Sequence, residues 1–379
     1  MSAVETPPAL ISDEQLTGRR WRPVLEMAVL YVLSIGAALF ISAVLVAITG
    51  NSWQKVFGAL LDGAFRAPGR WGVTLTVAAP MLLVALGMVI GVKAGLFNIG
   101  QEGQLLMGAM AMAFVGTKLD GPGALLLVGG LALGMVAGGG YAALAALMRF
   151  RRGVPEVISS LLLVFVAFQI IGFAVTTDWV LRDLDTTRPS RASTSAPLPD
   201  DIHLPIVRFF GNEFPIGIIL ALLLAGIVAF MLGRTLWGFR IRLLGHNPQV
   251  AQRTGVAAAR MGTRALFLSG AFAGLAGAMM LSGGGSAYRL TPGFSTNIGW
   301  QGLLVALLAQ SRPLVAIPMA VLFASLRTGA GFLAATGVER MIVDVVQGLL
   351  VLALLIPPAV QLIRERRRAL ASSDGVETT

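Results

Sequence analysis

Apolar runs of membrane-spanning length recur along almost the whole chain, at about residues 24–49, 71–93, 104–119, 124–148, 157–176, 216–236, 265–283, 299–311, 313–330 and 339–358. A helix rises about 1.5 Å per residue, so about 20 apolar residues are needed to cross a hydrocarbon layer about 30 Å thick. The pattern predicts an all-α polytopic membrane protein of about 10 transmembrane helices, with both termini on one side. The runs at 104–119 and 299–311 are short for that thickness. Short, glycine-interrupted spans are the mark of broken or re-entrant helices.

Composition agrees with a lipid solvent. The chain is 56% hydrophobic and 13% charged, against roughly 45–50% and 25% for soluble domains. Cysteine is absent, which removes disulfides, thiolate metal sites and redox motifs. His203 and His246 are the only histidines, too few for a zinc or di-metal centre without much carboxylate help. A net charge of +10 invites a nucleic-acid reading. Placement argues against it, because the basic residues flank apolar segments instead of forming one face, as juxtamembrane arginines do.

The first apolar run is too long for a signal sequence, and no small-residue cleavage site follows it. Arg19, Arg20 and Arg22 precede it. We therefore expect a cytoplasmic amino-terminal tail at 1–22, a transmembrane domain at 23–363 and a basic cytoplasmic tail at 364–379. Within the domain, 177–215 is expected as an exterior loop and 237–264 as a cytoplasmic loop with short amphipathic pieces. This orientation puts most of the 29 Lys and Arg on the cytoplasmic side, as the positive-inside rule requires. The run Arg364-Glu-Arg-Arg-Arg368 would meet anionic lipid headgroups. Glycines at helical spacing (Gly87, Gly91 and Gly95; Gly130, Gly134 and Gly138; Gly270 and Gly274) read as faces where helix backbones approach closely. Pro155, Pro313 and Pro318 sit near span starts, where a missing N–H is tolerated.

One segment breaks the apolar pattern. Gly95-Leu-Phe-Asn-Ile-Gly-Gln-Glu-Gly-Gln104 places a carboxylate, three amides and three glycines between two spans. A charge there costs several kcal/mol unless it is hydrated or paired. Glu102 is either satisfied at a helix end by Lys93 or headgroup water, or belongs to irregular backbone lining a cavity, which the adjacent glycines and amides favour. A second copy follows: Asn98-Ile-Gly-Gln-Glu-Gly-Gln-Leu105 aligns with Asn297-Ile-Gly-Trp-Gln-Gly-Leu-Leu304. Each opens a short span, the third and the eighth, so the copies should run in opposite directions. That is the pattern of a 5+5 inverted repeat with its pathway at the repeat interface. Asn98, Glu102, Gln104, Asn297 and Gln301 are the expected pathway residues, with Gln301 as the amide counterpart of Glu102. Replacing Glu102 or Gln301 by Ala is expected to impair transport and leave assembly intact.

Enzymatic chemistry finds little support. No Gly-Lys dipeptide exists for a Walker A loop, and no Gly-x-Ser-x-Gly elbow is present. Gly329-x-Gly331-x-x-Ala334 follows an apolar helix, not the strand that a dinucleotide loop requires. Asp344 reads as a helix-pairing polar residue near Gln347. Neither a catalytic residue nor a cofactor or metal is expected, and the chain is read as not an enzyme in its own right.

Five stretches, in order, resemble the permease subunits of bacterial ABC importers that serve nucleosides and simple sugars, relatives of branched-chain amino-acid permeases. They are Ala94–Gly108, Gly153-Val-Pro-Glu-Val-Ile-Ser159, Gly245-His-Asn-Pro-Gln-Val-Ala-Gln-Arg-Thr-Gly255, Leu290-Thr-Pro-Gly-Phe294, and Thr336-Gly-Val338 through Gln347-Gly-Leu-Leu350. Pro155 stands where members of the family often carry Asn. The resemblance covers roughly 70–358 and implies a helical bundle in the bacterial plasma (inner) membrane. It also implies a second permease subunit, a cytoplasmic ATP-binding subunit and an exterior substrate-binding lipoprotein or periplasmic protein. It further implies that Gly245, Asn247, Arg253 and Gly255 belong to a coupling segment, with Gly245 and Gly255 bounding a short helix that docks on the ATPase. The Phe-Asn-Ile-Gly-x-Glu-Gly-Gln form most resembles the nucleoside branch, and sugar and riboflavin permeases share much of it. An ion-coupled secondary transporter of a small polar solute, which also suits inverted repeats and an intramembrane carboxylate, is the alternative. A passive channel is a third.

Overall fold

The structure is a computed structural model that describes residues 13–48, 50, 52–184 and 193–335, with 345–346, 348–349, 351–353, 355–361 and 363–364 beyond them. Helices dominate: α1 (Asp13–Ile48), α2 (Trp53–Leu61), α3 (Arg70–Lys93), α4 (Gln101–Lys118), α5 (Gly123–Arg152) and α6 (Glu156–Thr176). After a small antiparallel hairpin of β1 (Ile206–Phe209) and β2 (Asn212–Pro215) come α7 (Gly217–Arg234), α8 (Leu236–His246) and α9 (Pro248–Arg253). The series ends with α10 (Ala258–Ser282), α11 (Ile298–Leu308) and α12 (Pro313–Ala335).

Among the described residues, seven helices are long and apolar enough to cross a membrane: α1 from Leu25, α3, α5, α6, α7, α10 and α12 to Phe332. The protein is therefore an all-α polytopic membrane protein. Of the two short runs, α11 stays short at 11 residues, about 16 Å, while α4 extends to 18 residues, about 27 Å, because it begins at Gln101. Asp344, Gln347 and the basic tail from 365 onward lie outside the described residues, while the described residues of the run at 339–358 are helical.

The chain divides into two compact units, 1–58 with 333–379, and 59–332. In the first, α1 starts at Asp13, inside the stretch expected as a tail, and Arg364 bonds Glu26 at 3.1 Å. The second holds everything that concerns the site. Its inner pair is α3 and α10, whose spans are 78% and 83% buried. The spans of α5, α6 and α7 are mostly outward, as helices wetted by lipid should be.

Glycine makes this core compact. A Cβ on Gly274 of α10 would lie 2.1 Å from the Gly134 carbonyl oxygen of α5, and one on Gly108 of α4 would lie 2.0 Å from the Gly274 carbonyl oxygen. Three backbones thus meet at Gly274 with no room for a side chain. The small-residue faces read from the sequence are packing faces here, where association without a hydrophobic drive rests on close contact.

Two ends can be told apart. Lys93, Arg152 and Arg234 close α3, α5 and α7 at a basic end. The β1–β2 hairpin marks the opposite end, where Gly116 of α4 packs on Leu198 and Leu204 donates its N–H to Ser282 at the end of α10. Residues between α6 and the hairpin also bind the segment after α10: Arg289 reaches Asp183 at 2.7 Å, and Ser195 donates its N–H to the Leu290 carbonyl.

Candidate translocation site

After α3 ends at the basic end, the chain turns at Gly95, whose φ of +73° suits glycine, and runs back into the bundle as far as Gly100. Such a loop needs partners for its N–H groups. The start of α6 supplies them. Glu156 Oε1 accepts from the Phe97 N–H at 3.2 Å, and Ser160 Oγ accepts from Ile99 at 3.1 Å. The other oxygen of Glu156 pairs with Arg149, at the last turn of α5. Glu156 stands at this point because Gly153, with φ +71°, closes α5 and Pro155 opens α6, which leaves the carboxylate in a helix's first turn.

Deeper in, Asn98 and Gln104 exchange two side-chain bonds, 2.8 and 2.9 Å, and Asn98 also donates to Ser269 of α10 at 2.9 Å. Gln101 donates to the same hydroxyl at 3.4 Å, while its own side-chain oxygen is buried with no hydrogen-bond partner among the described residues. Asn98 and Gln104, two of the amides expected to face a pathway, are thus buried and bonded to each other.

Glu102 is 1% exposed. Its Oε1 accepts from the Ser295 hydroxyl and from the Asn297 N–H at 3.2 Å, and its Oε2 accepts from the Gly299 N–H at 2.6 Å. A Cβ on Gly299 would sit 2.5 Å from the Glu102 Cα. The first turns of α4 and α11 therefore meet head to head, and the helices leave the junction in opposite directions, as expected for the two motif copies. Each helix start carries partial positive charge from its unpaired N–H groups, and a carboxylate at that junction is stabilised by both. Neither Lys93 nor headgroup water is needed: the partner is the other copy of the motif.

Gln301 does not bond Glu102. Its side-chain oxygen accepts from Arg327 of α12 at 3.0 Å. Arg327 also donates to the Thr296 carbonyl at 2.8 Å and to the Thr296 hydroxyl. Thr296 and Asn297 hold φ of +45° and +67°, uncommon values for residues with a Cβ. Asn297 is exposed, and Gln301 and Arg327 are half-buried. Arg327 escaped the sequence reading although the signal was present, as a lone charge well inside the run 313–330. Glu156 was quoted only as part of a motif. Ser269, Ser295 and Ser160 carried no signal, since serine is unremarkable in small-residue helix faces.

The segment from Gly245 to Gly255 contains α9. Asn247 caps that helix, its side-chain oxygen accepting from the N–H groups of Gln249 and Val250 at 3.1 Å each, and Gly255, φ +82°, turns the chain away after it. Asn247 and Arg253 are exposed. Gly245 is not: a Cβ there would lie 2.4 Å from the Lys93 carbonyl oxygen and 2.9 Å from the Gly95 nitrogen. The segment thus rests on the turn that starts the loop carrying Asn98.

The family described as branched-chain amino acid transport system / permease component matches residues 71–355. This chain belongs to that family. It is therefore a permease component and a multi-pass protein of the plasma membrane. It is 31% identical to the guanosine ABC transporter permease protein NupP of Bacillus subtilis (strain 168), covering 85% of this chain and 91% of that one. It is 28% identical to the nucleoside ABC transporter permease protein NupB of Lactococcus lactis, covering 81% and 84%. It is also 28% identical to the glucose ABC transporter permease protein TsgB13 of Haloferax volcanii, covering 90% of each. No solved structure matches.

Proposed function

We propose that this permease forms the translocation path of an ATP-driven importer for a nucleoside-like or simple-sugar substrate. ATP hydrolysis is then the work of a separate cytoplasmic subunit, and the chain itself is no enzyme. A second permease subunit would complete the path, and an exterior lipoprotein or periplasmic protein would deliver substrate. The observation that carries the reading is the contact of Gly245 with Lys93 and Gly95. Through it, a movement of α9 reaches the loop that positions Asn98 and Glu102, and through Glu102 the start of α11. Permeases of nucleosides and of glucose among the relatives support the substrate class.

In this reading the basic end is cytoplasmic, in line with the positive-inside rule, and α9 with Asn247, Arg253 and Gly255 faces the ATPase. Asn98, Glu102 and Gln104 hold the junction together. Asn297 and Gln301, with Arg327, offer the polar surface to a neutral, hydroxyl-rich or amide-like ligand. Arg327 cannot face hydrocarbon at low cost, so its open side looks onto water or a polar partner.

Uptake by the assembled importer in proteoliposomes separates this from an ion-coupled transporter. Accumulation should require ATP inside and the binding protein outside. Accumulation driven by a proton gradient without ATP would sink the proposal.

A further inference from the structure

From residue 214 to residue 338 the chain contains no Asp or Glu, yet the segment between α7 and the second turn of α10 carries Arg234, Arg240, Arg242, Arg253, Arg260 and Arg264. Three of these converge. Arg240 of α8 and Arg260 and Arg264 of α10 line a recess of about 200 Å³, bordered by Gly255 and floored by Val256 and Met261. Val256 and Met261 are buried, whereas the three arginines are exposed. Arg242, their neighbour, is occupied by the Leu232 carbonyl. Arg240, Arg260 and Arg264 have no ion pair or side-chain hydrogen bond among the described residues.

That arrangement is unfavourable in isolation. Arg260 and Arg264 are like charges four residues apart on one helix, a spacing at which they repel, and Arg240 adds a third cation to the same recess. An anion entering it relieves all three repulsions. Guanidinium groups favour planar, two-oxygen acceptors, which they bind through paired N–H donors.

We propose that this recess receives one or more carboxylate side chains of the ATP-binding subunit, forming a charged contact beside α9. The proposal rests on the coupling role given to α9 above. Continuity argues for the ATPase over lipid, because Gly255 both ends the α9 segment and borders the recess.

The test uses the assembled importer in nanodiscs, with binding of the ATP-binding subunit followed as salt is raised. Arg260→Glu and Arg264→Glu should each weaken that binding by about tenfold, and the salt dependence should flatten. Arg264→Gln, which disturbs folding least, should show a smaller loss in the same direction. If these variants bind and couple normally while Asn247 and Arg253 variants uncouple, the recess is misassigned and the role of α9 stands. If none of the five variants alters binding or coupling, the role of α9 fails with it. If the losses occur only in discs containing anionic lipid and vanish in zwitterionic discs, the recess binds headgroup phosphate, and the proposal is overturned.

Discussion

Glu102 Oε2 accepts the Gly299 backbone N–H at 2.6 Å, so a carboxylate in the first turn of α4 holds the first turn of α11. The bond joins the two motif copies, and the same carboxylate takes Ser295 and Asn297 on its other oxygen. A buried carboxylate with this many donors is a structural tie between the two motif copies.

This changes what substitution should do. Glu102→Ala leaves two backbone N–H groups and a hydroxyl without their acceptor, and each unsatisfied buried donor costs about 1–3 kcal/mol. We expect a lower Tm in detergent together with loss of uptake, not the loss of uptake alone that the sequence suggested. Glu102→Gln keeps the shape and loses the charge, so it should lie between wild type and Ala in thermal unfolding.

Gly245→Ala places a methyl group 2.4 Å from the Lys93 carbonyl. The protein should fold, because the clash is confined to a surface-proximal turn, but α9 should shift away from the loop. The expected result is ATP hydrolysis by the assembled importer with little uptake. Substrate accumulated per ATP hydrolysed is the quantity to measure.

Arg327→Lys keeps the charge and removes the fork that spans Thr296 and Gln301. If this surface meets substrate, uptake should show a raised KM of about tenfold, equivalent to about 1.4 kcal/mol, with normal assembly on size-exclusion chromatography. Gln301→Ala should move KM in the same direction. A fall in maximal rate with unchanged KM in both variants would assign the cluster to holding the Thr296–Asn297 turn instead.

Gly274→Ala should destabilise the bundle by about 1–3 kcal/mol through overpacking, since its Cβ would press on the Gly134 carbonyl. Gly140→Ala, on the same α5 but with nothing within 4 Å, is the control and should be neutral or slightly stabilising. Midpoints of thermal unfolding in detergent would read the difference.

Much of this was legible in one dimension. The spans follow from the lengths of apolar runs: each of the first nine became a helix at the expected place, and the described residues of the tenth are helical as well. The α9 helix was expected from the family resemblance, between Gly245 and Gly255, and the structure adds that Asn247 caps its start. The paired motifs and their opposed directions were readable from repetition and from counting crossings. Arg327 could have been read as well, from the cost of a cation in hydrocarbon.

Partners were not legible. The sequence by itself determined that this chain lives in a membrane, is helical, and holds a carboxylate and several amides where such groups are costly. Only the tertiary structure decided that Glu102 serves the backbone of α11, 197 residues away at Gly299, that Gln301 serves Arg327, and that Gly245 lies against Lys93. The reason is physical. Burial cost is a property of a residue and its local run, whereas the donor that offsets it is chosen by which helices pack together, and that choice is made by close-packed glycine faces far apart in the chain.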